Sequence, residues 1–137
     1  MKKRGQLSIE FVITVGFALL MIIPLTILMY EQMTNAYKDV NGNQAFLIAR
    51  RITDAANSVY YLGYPSTVTL RVYMPEGIKS INITRTEIAF VMETKSDIVS
   101  SAKVNLTGSL TSSSGSKYIK IAAIELTNLV NISEDVS

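Results

Sequence analysis

The sequence predicts an α+β chain: a long N-terminal α-helix followed by a C-terminal antiparallel β-sheet or β-sandwich head. Three observations predict it. Residues 11–30 form an apolar run without a single charge. Apolar residues then recur every three or four positions as far as Leu62, and beyond Pro65 their period drops to two.

The first element is apolar on all sides. A run of twenty such residues is long enough to span a bilayer and must be buried all round by lipid or protein. A chain of 137 residues cannot enclose it in a soluble core. Pro24 lies inside it, which membrane or tightly packed helices tolerate with a kink.

Amphipathic spacing continues the helix through residues 31–64. Met33, Tyr37, Val40, Gln44, Ile48, Ile52, Ala55, Val59 and Leu62 step along one face. Glu31, Lys38, Asp39, Arg50, Arg51 and Asp54 lie off it. Asn41-Gly42-Asn43 is the weak point, where a bend or break is expected. Gly63, followed by Tyr64-Pro65, is the stop. A continuous helix over 6–62 would measure about 85 Å.

The head, residues 65–137, reads as short strands. Val68, Leu70, Val72 and Met74 alternate with Thr67, Thr69, Arg71 and Tyr73, and Pro75-Glu76-Gly77 turns the chain. Ile81 and Ile83 mark a second strand, and Ile88, Phe90 and Met92 a third. Ala102, Val104 and Leu106 mark a fourth. A Ser/Gly-rich loop over 109–116 precedes a strand over 118–126, with a short last strand around 130–132. Such strands suit a sheet laid on the amphipathic part of the helix.

Composition narrows the function. The chain is 48% hydrophobic and 18% charged, too apolar for disorder. It has no cysteine, histidine or tryptophan. That excludes disulfides, thiolate metal sites, a cysteine nucleophile and the commonest general base. The acids are scattered, without paired-carboxylate or metal-ligand spacing, and there is no glycine-rich phosphate loop. Neither catalysis nor a cofactor is expected. Three of the thirteen basic residues sit together at Lys2, Lys3 and Arg4, leaving ten against eleven acids. The rest of the chain carries no footprint for nucleic acid.

The N-terminal ten residues carry the decisive pattern. Lys2-Lys3-Arg4-Gly5 is a basic tip ending in glycine, and Gln6-Leu7-Ser8-Ile9-Glu10-Phe11 places one acid at the mouth of the apolar run. No small-residue cleavage site follows that run, as an ordinary secretory signal would require. The pattern resembles the class III signal peptide of archaeal type IV pilins: a basic leader ending in glycine, then Gln-x-Ser-x-Glu-Phe, then an apolar helix. The resemblance implies residues 1–5 as signal peptide, with a dedicated prepilin peptidase cutting between Gly5 and Gln6. It implies residues 6–30 as membrane anchor and filament core, and residues 31–64 as the helix packed on the head. It further implies a homopolymer on the cell surface, assembled from the membrane by a cytoplasmic ATPase and a membrane platform. Archaellins share the leader, but their mature N-termini usually lack this motif. A minor pilin-like or membrane-retained surface-binding protein is the alternative, and a tethered enzyme or binding domain a more distant one.

The same residues can be argued from physics. The basic tip stays in the cytoplasm and sends the head outward. A glycine at the membrane boundary offers a peptidase an unobstructed backbone. After cleavage, the new amine on Gln6, unless it cyclises, is a natural partner for Glu10 of a neighbouring subunit. The simpler role for Glu10 is to favour the positive helix N-terminus, worth about 0.3–1 kcal/mol.

Three acceptor sequons lie in the head, beginning at Asn82, Asn105 and Asn131, each asparagine between two apolar residues and so expected on an outward face. Arg50 and Arg51 are expected on a solvated helix face. Tyr60, Tyr61, Tyr64, Tyr73 and Tyr118 are expected to pack at the helix–sheet junction, with an adhesive patch as the alternative.

Overall fold

The computed structural model describes residues 2–93, 96–125 and 128–135, with side chains from Ser8 onward. Its order is one helix, α1 (Lys2–Leu62), then seven strands. These are β1 (Thr67–Met74), β2 (Ile78–Ile83), β3 (Glu87–Met92), β4 (Ile98–Ser101), β5 (Asn105–Gly108), β6 (Gly115–Ala123) and β7 (Leu129–Glu134). The α+β expectation holds. The chain divides into two compact units, Met1–Tyr37 and Lys38–Ser137.

The first unit is helical, and Pro24 does not interrupt it. Its threonines fit an apolar segment because their hydroxyls bond back one turn. Thr14 donates to the Glu10 carbonyl at 2.8 Å, Thr26 to Ile22 at 2.8 Å and Thr34 to Tyr30 at 3.0 Å. α1 is long and apolar enough to cross a membrane, and its most apolar stretch is not buried at all.

In the second unit α1 continues through the weak point Asn41-Gly42-Asn43 without a break. The face it buries differs from the expected one. Ala45, Ile48, Ala49, Ile52, Thr53, Ala56 and Val59 are buried, whereas Met33, Tyr37, Val40 and Leu62 are exposed. The buried seam runs over three alanines beside Ile48, Ile52 and Val59, and so turns away from the larger residues at both ends of the expected stripe. Thr53 is the one polar residue buried there. Its hydroxyl donates to the Arg50 carbonyl at 2.9 Å and lies 3.0 Å from Ser100 Oγ on β4. Gly63 ends the helix with φ 74°, its amide bonding the Val59 and Tyr60 carbonyls at 3.1 Å each.

The strands form two sheets, one ordered β1-β6-β7-β5 and the other β2-β3-β4. All pairs are antiparallel except β5 with β7. One buried cluster joins α1 to both sheets through Val72, Met74, Ile88, Phe90, Ile119, Ile121, Val130 and Ile132, among others. β1 matches its expected residues. The expected strand at Ala102, Val104 and Leu106 does not form as one piece: β4 and β5 belong to different sheets, and residues 102–104 cross between them. Two of their amides are satisfied off-ladder. Ala102 donates to the Thr86 carbonyl at 2.7 Å, and Lys103 to Asn57 Oδ1 of α1 at 2.9 Å. The strand expected over 118–126 starts earlier, at Gly115, and ends at Ala123; Leu126 lies outside the described residues.

Gly108 is where β5 meets β7. Its φ is 127°, and an added Cβ would lie 1.9 Å from the Ile132 carbonyl oxygen. Only glycine fits that approach.

Candidate functional site

The N-terminal residues that carry the sequence pattern belong to α1. Gly5 and Gln6 are helical in backbone; the Gln6 side chain lies outside the described residues. The extended backbone expected at Gly5 therefore requires local unwinding, which glycine makes cheap by about 1 kcal/mol relative to alanine. Glu10 is exposed, in the third turn of the uncut helix. Removal of residues 1–5 would make it the fifth residue of the helix, closer to an N-terminus that favours a carboxylate.

The sequon asparagines divide. Asn82, on the outer strand β2, is exposed. Asn105 and Asn131 are half-buried, on the outer strand β5 and the inner strand β7 of the four-stranded sheet. The parallel β5–β7 register sets Thr107 opposite Asn131, so these two sequons are neighbours.

The tyrosines depart from the packing expected of them. Tyr61, Tyr64, Tyr73 and Tyr118 are exposed, and Tyr60 alone packs against the core. Tyr60 and Tyr61 meet edge to face, with centroids 5.8 Å apart. Arg50 and Arg51 are exposed as expected, Arg50 reaching Asp54 at 4.0 Å. At that distance and exposure the pair contributes little.

The Ser/Gly-rich loop is held by a polar knot that the sequence did not suggest. Lys117 Nζ donates to Glu134 Oε1 at 2.9 Å, to the Thr111 carbonyl at 2.8 Å and to the Thr111 hydroxyl. The Thr111 amide and hydroxyl each donate to the same Glu134 oxygen at 2.7 Å. Burial pushes the Glu134 carboxyl up, but the bonds from Thr111 and Lys117 and the Lys117 charge outweigh it and hold it below the usual 4.5.

A depressed folded-state value contributes stability that is complete above the unfolded value and lost as pH falls through the folded one. The urea midpoint of the wild type is therefore expected to drop below about pH 4.5, and Glu134→Gln to flatten that acid limb. An unchanged slope in the variant would remove Glu134 from the acid response.

Among the described residues no group of acids is placed to hold a metal ion. The open grooves of the second unit differ in charge. One is lined by Asp39, Asn43, Phe46, Glu93 and Ser96; another by Gln44, Leu47, Arg51, Arg71 and Tyr73; a third by Tyr60, Tyr61, Tyr64 and Asn128. No protein family, curated protein or solved structure gives a match to the chain.

Proposed function

We propose that this chain is the precursor of an archaeal type IV pilus subunit, cut between Gly5 and Gln6 and polymerised through its apolar helix, with the head outside the cell. The observation that carries this reading is the exposure of the apolar segment. All fifteen large apolar side chains at residues 11–30 are exposed, from 40% at Val15 to 74% at Tyr30. A surface of that kind is stable in lipid or among copies of itself, and in water neither state is optional.

The Gly5-Gln6 junction and Glu10 supply the rest of the argument. A leader cut ahead of the apolar helix leaves that helix in the mature protein, free to leave the bilayer for a bundle of its own kind. Lipid is nearly as apolar as a helix bundle, so the transfer gains little hydrophobic energy. Packing, Glu10 pairing and an external motor (an assembly ATPase acting through a membrane platform) must drive it. The role is structural, with attachment to surfaces carried by the head and no catalysis or cofactor.

Intact-mass analysis of filaments sheared from cells tests the proposal. The expected species starts at Gln6, free or cyclised, and carries added mass if a sequon is glycosylated. Residues 1–5 retained in assembled filaments, or a chain found only in the membrane fraction, would refute it.

A further inference from the structure

The groove between α1 and β1 has a charge and a shape that the sequence reading left unassigned. It encloses about 250 Å³ and is lined by Gln44, Leu47, Arg51, Arg71 and Tyr73, among others. Arg51 of α1 and Arg71 of β1 both line it, and no carboxylate does.

Arg71 is held in place. Its Nε donates to Ser116 Oγ at 3.3 Å, and its guanidinium carbon sits 5.8 Å from the centre of the Tyr118 ring, within cation–π range. The Ser116 bond engages Nε, so an incoming anion would meet the terminal Nη pair, which suits a two-oxygen acceptor.

The β1–β6 register extends the basic surface. Thr69 lies opposite Lys120, Arg71 opposite Tyr118, and Tyr73 opposite Ser116. These residues are exposed, on the sheet face turned away from Val72, Ile119 and Ile121. Lys120 is thus a diagonal neighbour of Arg71, about 7–8 Å away. Tyr73 is 67% exposed and Tyr118 44%, so both rings are available for contact.

We propose that this groove and the adjoining face of β1 and β6 bind an anionic polysaccharide through its carboxylate or sulfate groups. The proposal rests on the reading of the head as the outer surface of a filament. Net charge does not explain the feature: positions 38–137 hold ten basic and nine acidic residues. The attraction is local to Arg51, Arg71 and Lys120. Repeating acidic groups match cations spaced along a strand pair, and sugar rings have C–H faces that pack on exposed tyrosines. A neutral saccharide has no use for the guanidiniums. Nucleic acid, the other polyanion, calls for a longer basic stripe.

The test is co-sedimentation of assembled filaments with dextran sulfate, polygalacturonate, neutral dextran and single-stranded DNA. The same binding is measured on the detergent-solubilised full-length chain. The two acidic polysaccharides are expected to bind, and neutral dextran is not. The double variant Arg51→Ala/Arg71→Ala is expected to bind at least about tenfold more weakly, since charge-assisted contacts are lost. Lys79→Ala/Arg85→Ala, which removes equal charge elsewhere on the head, is expected to bind as the wild type does. Equal binding of neutral dextran, tighter binding of DNA, or an unaffected Arg51/Arg71 variant would overturn the proposal. Because the solubilised chain tests the groove without a filament, a failure of the pilus reading is distinguishable from a failure of the groove.

Discussion

A chain beginning at Lys38 is expected to fold, dissolve and remain monomeric in water, while the full-length chain requires detergent. The reason lies in where the core is. Among the described residues, every buried hydrophobic one falls between Ala45 and Ile132, within the second compact unit. The first unit contributes none of them. Its residues 11–30 alone contribute fifteen large exposed apolar side chains, whose hydration costs roughly 20–45 kcal/mol at 1.5–3 kcal/mol each. A domain of this size has a total stability of about 5–15 kcal/mol, so that surface decides the state of the whole chain.

Cutting at Lys38 removes this surface without opening the core. Residues 38–62 of α1 keep Ile48, Ile52 and Val59 against the sheets, together with the Thr53–Ser100 and Asn57–Lys103 bonds. Phe46 and Leu47 stay exposed, as they already are. Gel filtration and urea unfolding are the measurements. A single cooperative transition at monomer size is the expected outcome; aggregation or a non-cooperative melt would place essential contacts before Lys38.

The elements that could be read from the sequence share one property: their pattern was local. β1 was legible to the residue because Thr67–Met74 alternates strictly and ends on Pro75-Glu76-Gly77. The crossing at 102–104 imitates a strand because Ala102 and Val104 both dip into the core. Their backbone bonds go to Thr86 and Asn57, partners that no local pattern names. The helix seam was missed where it runs over Ala45, Ala49 and Ala56, since a search for large residues passes over alanine. The parallel β5–β7 pair was beyond reach for the same reason: alternation tells which way a side chain faces, not which strand lies beside it.

The candidate sites divide along the same line. Gly5, Gln6 and Glu10 stand in one short stretch and were legible before any fold was known. Arg51 and Arg71 line one groove only because the fold sets β1 beside α1, and the Lys117–Glu134–Thr111 knot joins a loop, β6 and β7. Their chemistry exists in the folded chain alone. The tyrosines show the limit of residue type as a guide: an aromatic ring fits a junction or a surface equally well, and the structure puts four of the five on the surface.

Glu10→Gln is expected to abolish filament assembly, or leave filaments fragile, while cleavage and membrane insertion proceed normally. Two roles for Glu10 predict different outcomes. As a group that only favours the helix N-terminus, it is worth about 0.3–1 kcal/mol, and its amide replacement would still allow filaments. As the partner of a neighbour's Gln6 amine inside an apolar bundle, it neutralises a charge that lipid and leucine cannot. The amine left alone there costs about 3–5 kcal/mol per contact. That penalty recurs in every subunit, so a modest loss per contact becomes a large one per filament. Glu10 lies in the third turn of α1 and is exposed, so on the pilus reading neither role is available before a leader is removed. Processing should therefore be indifferent to the substitution. The measurement is filament yield beside the fraction of cleaved subunit. Cleaved Glu10→Gln subunits with wild-type filament yield would sink the pairing role and leave Glu10 with the helix N-terminus alone.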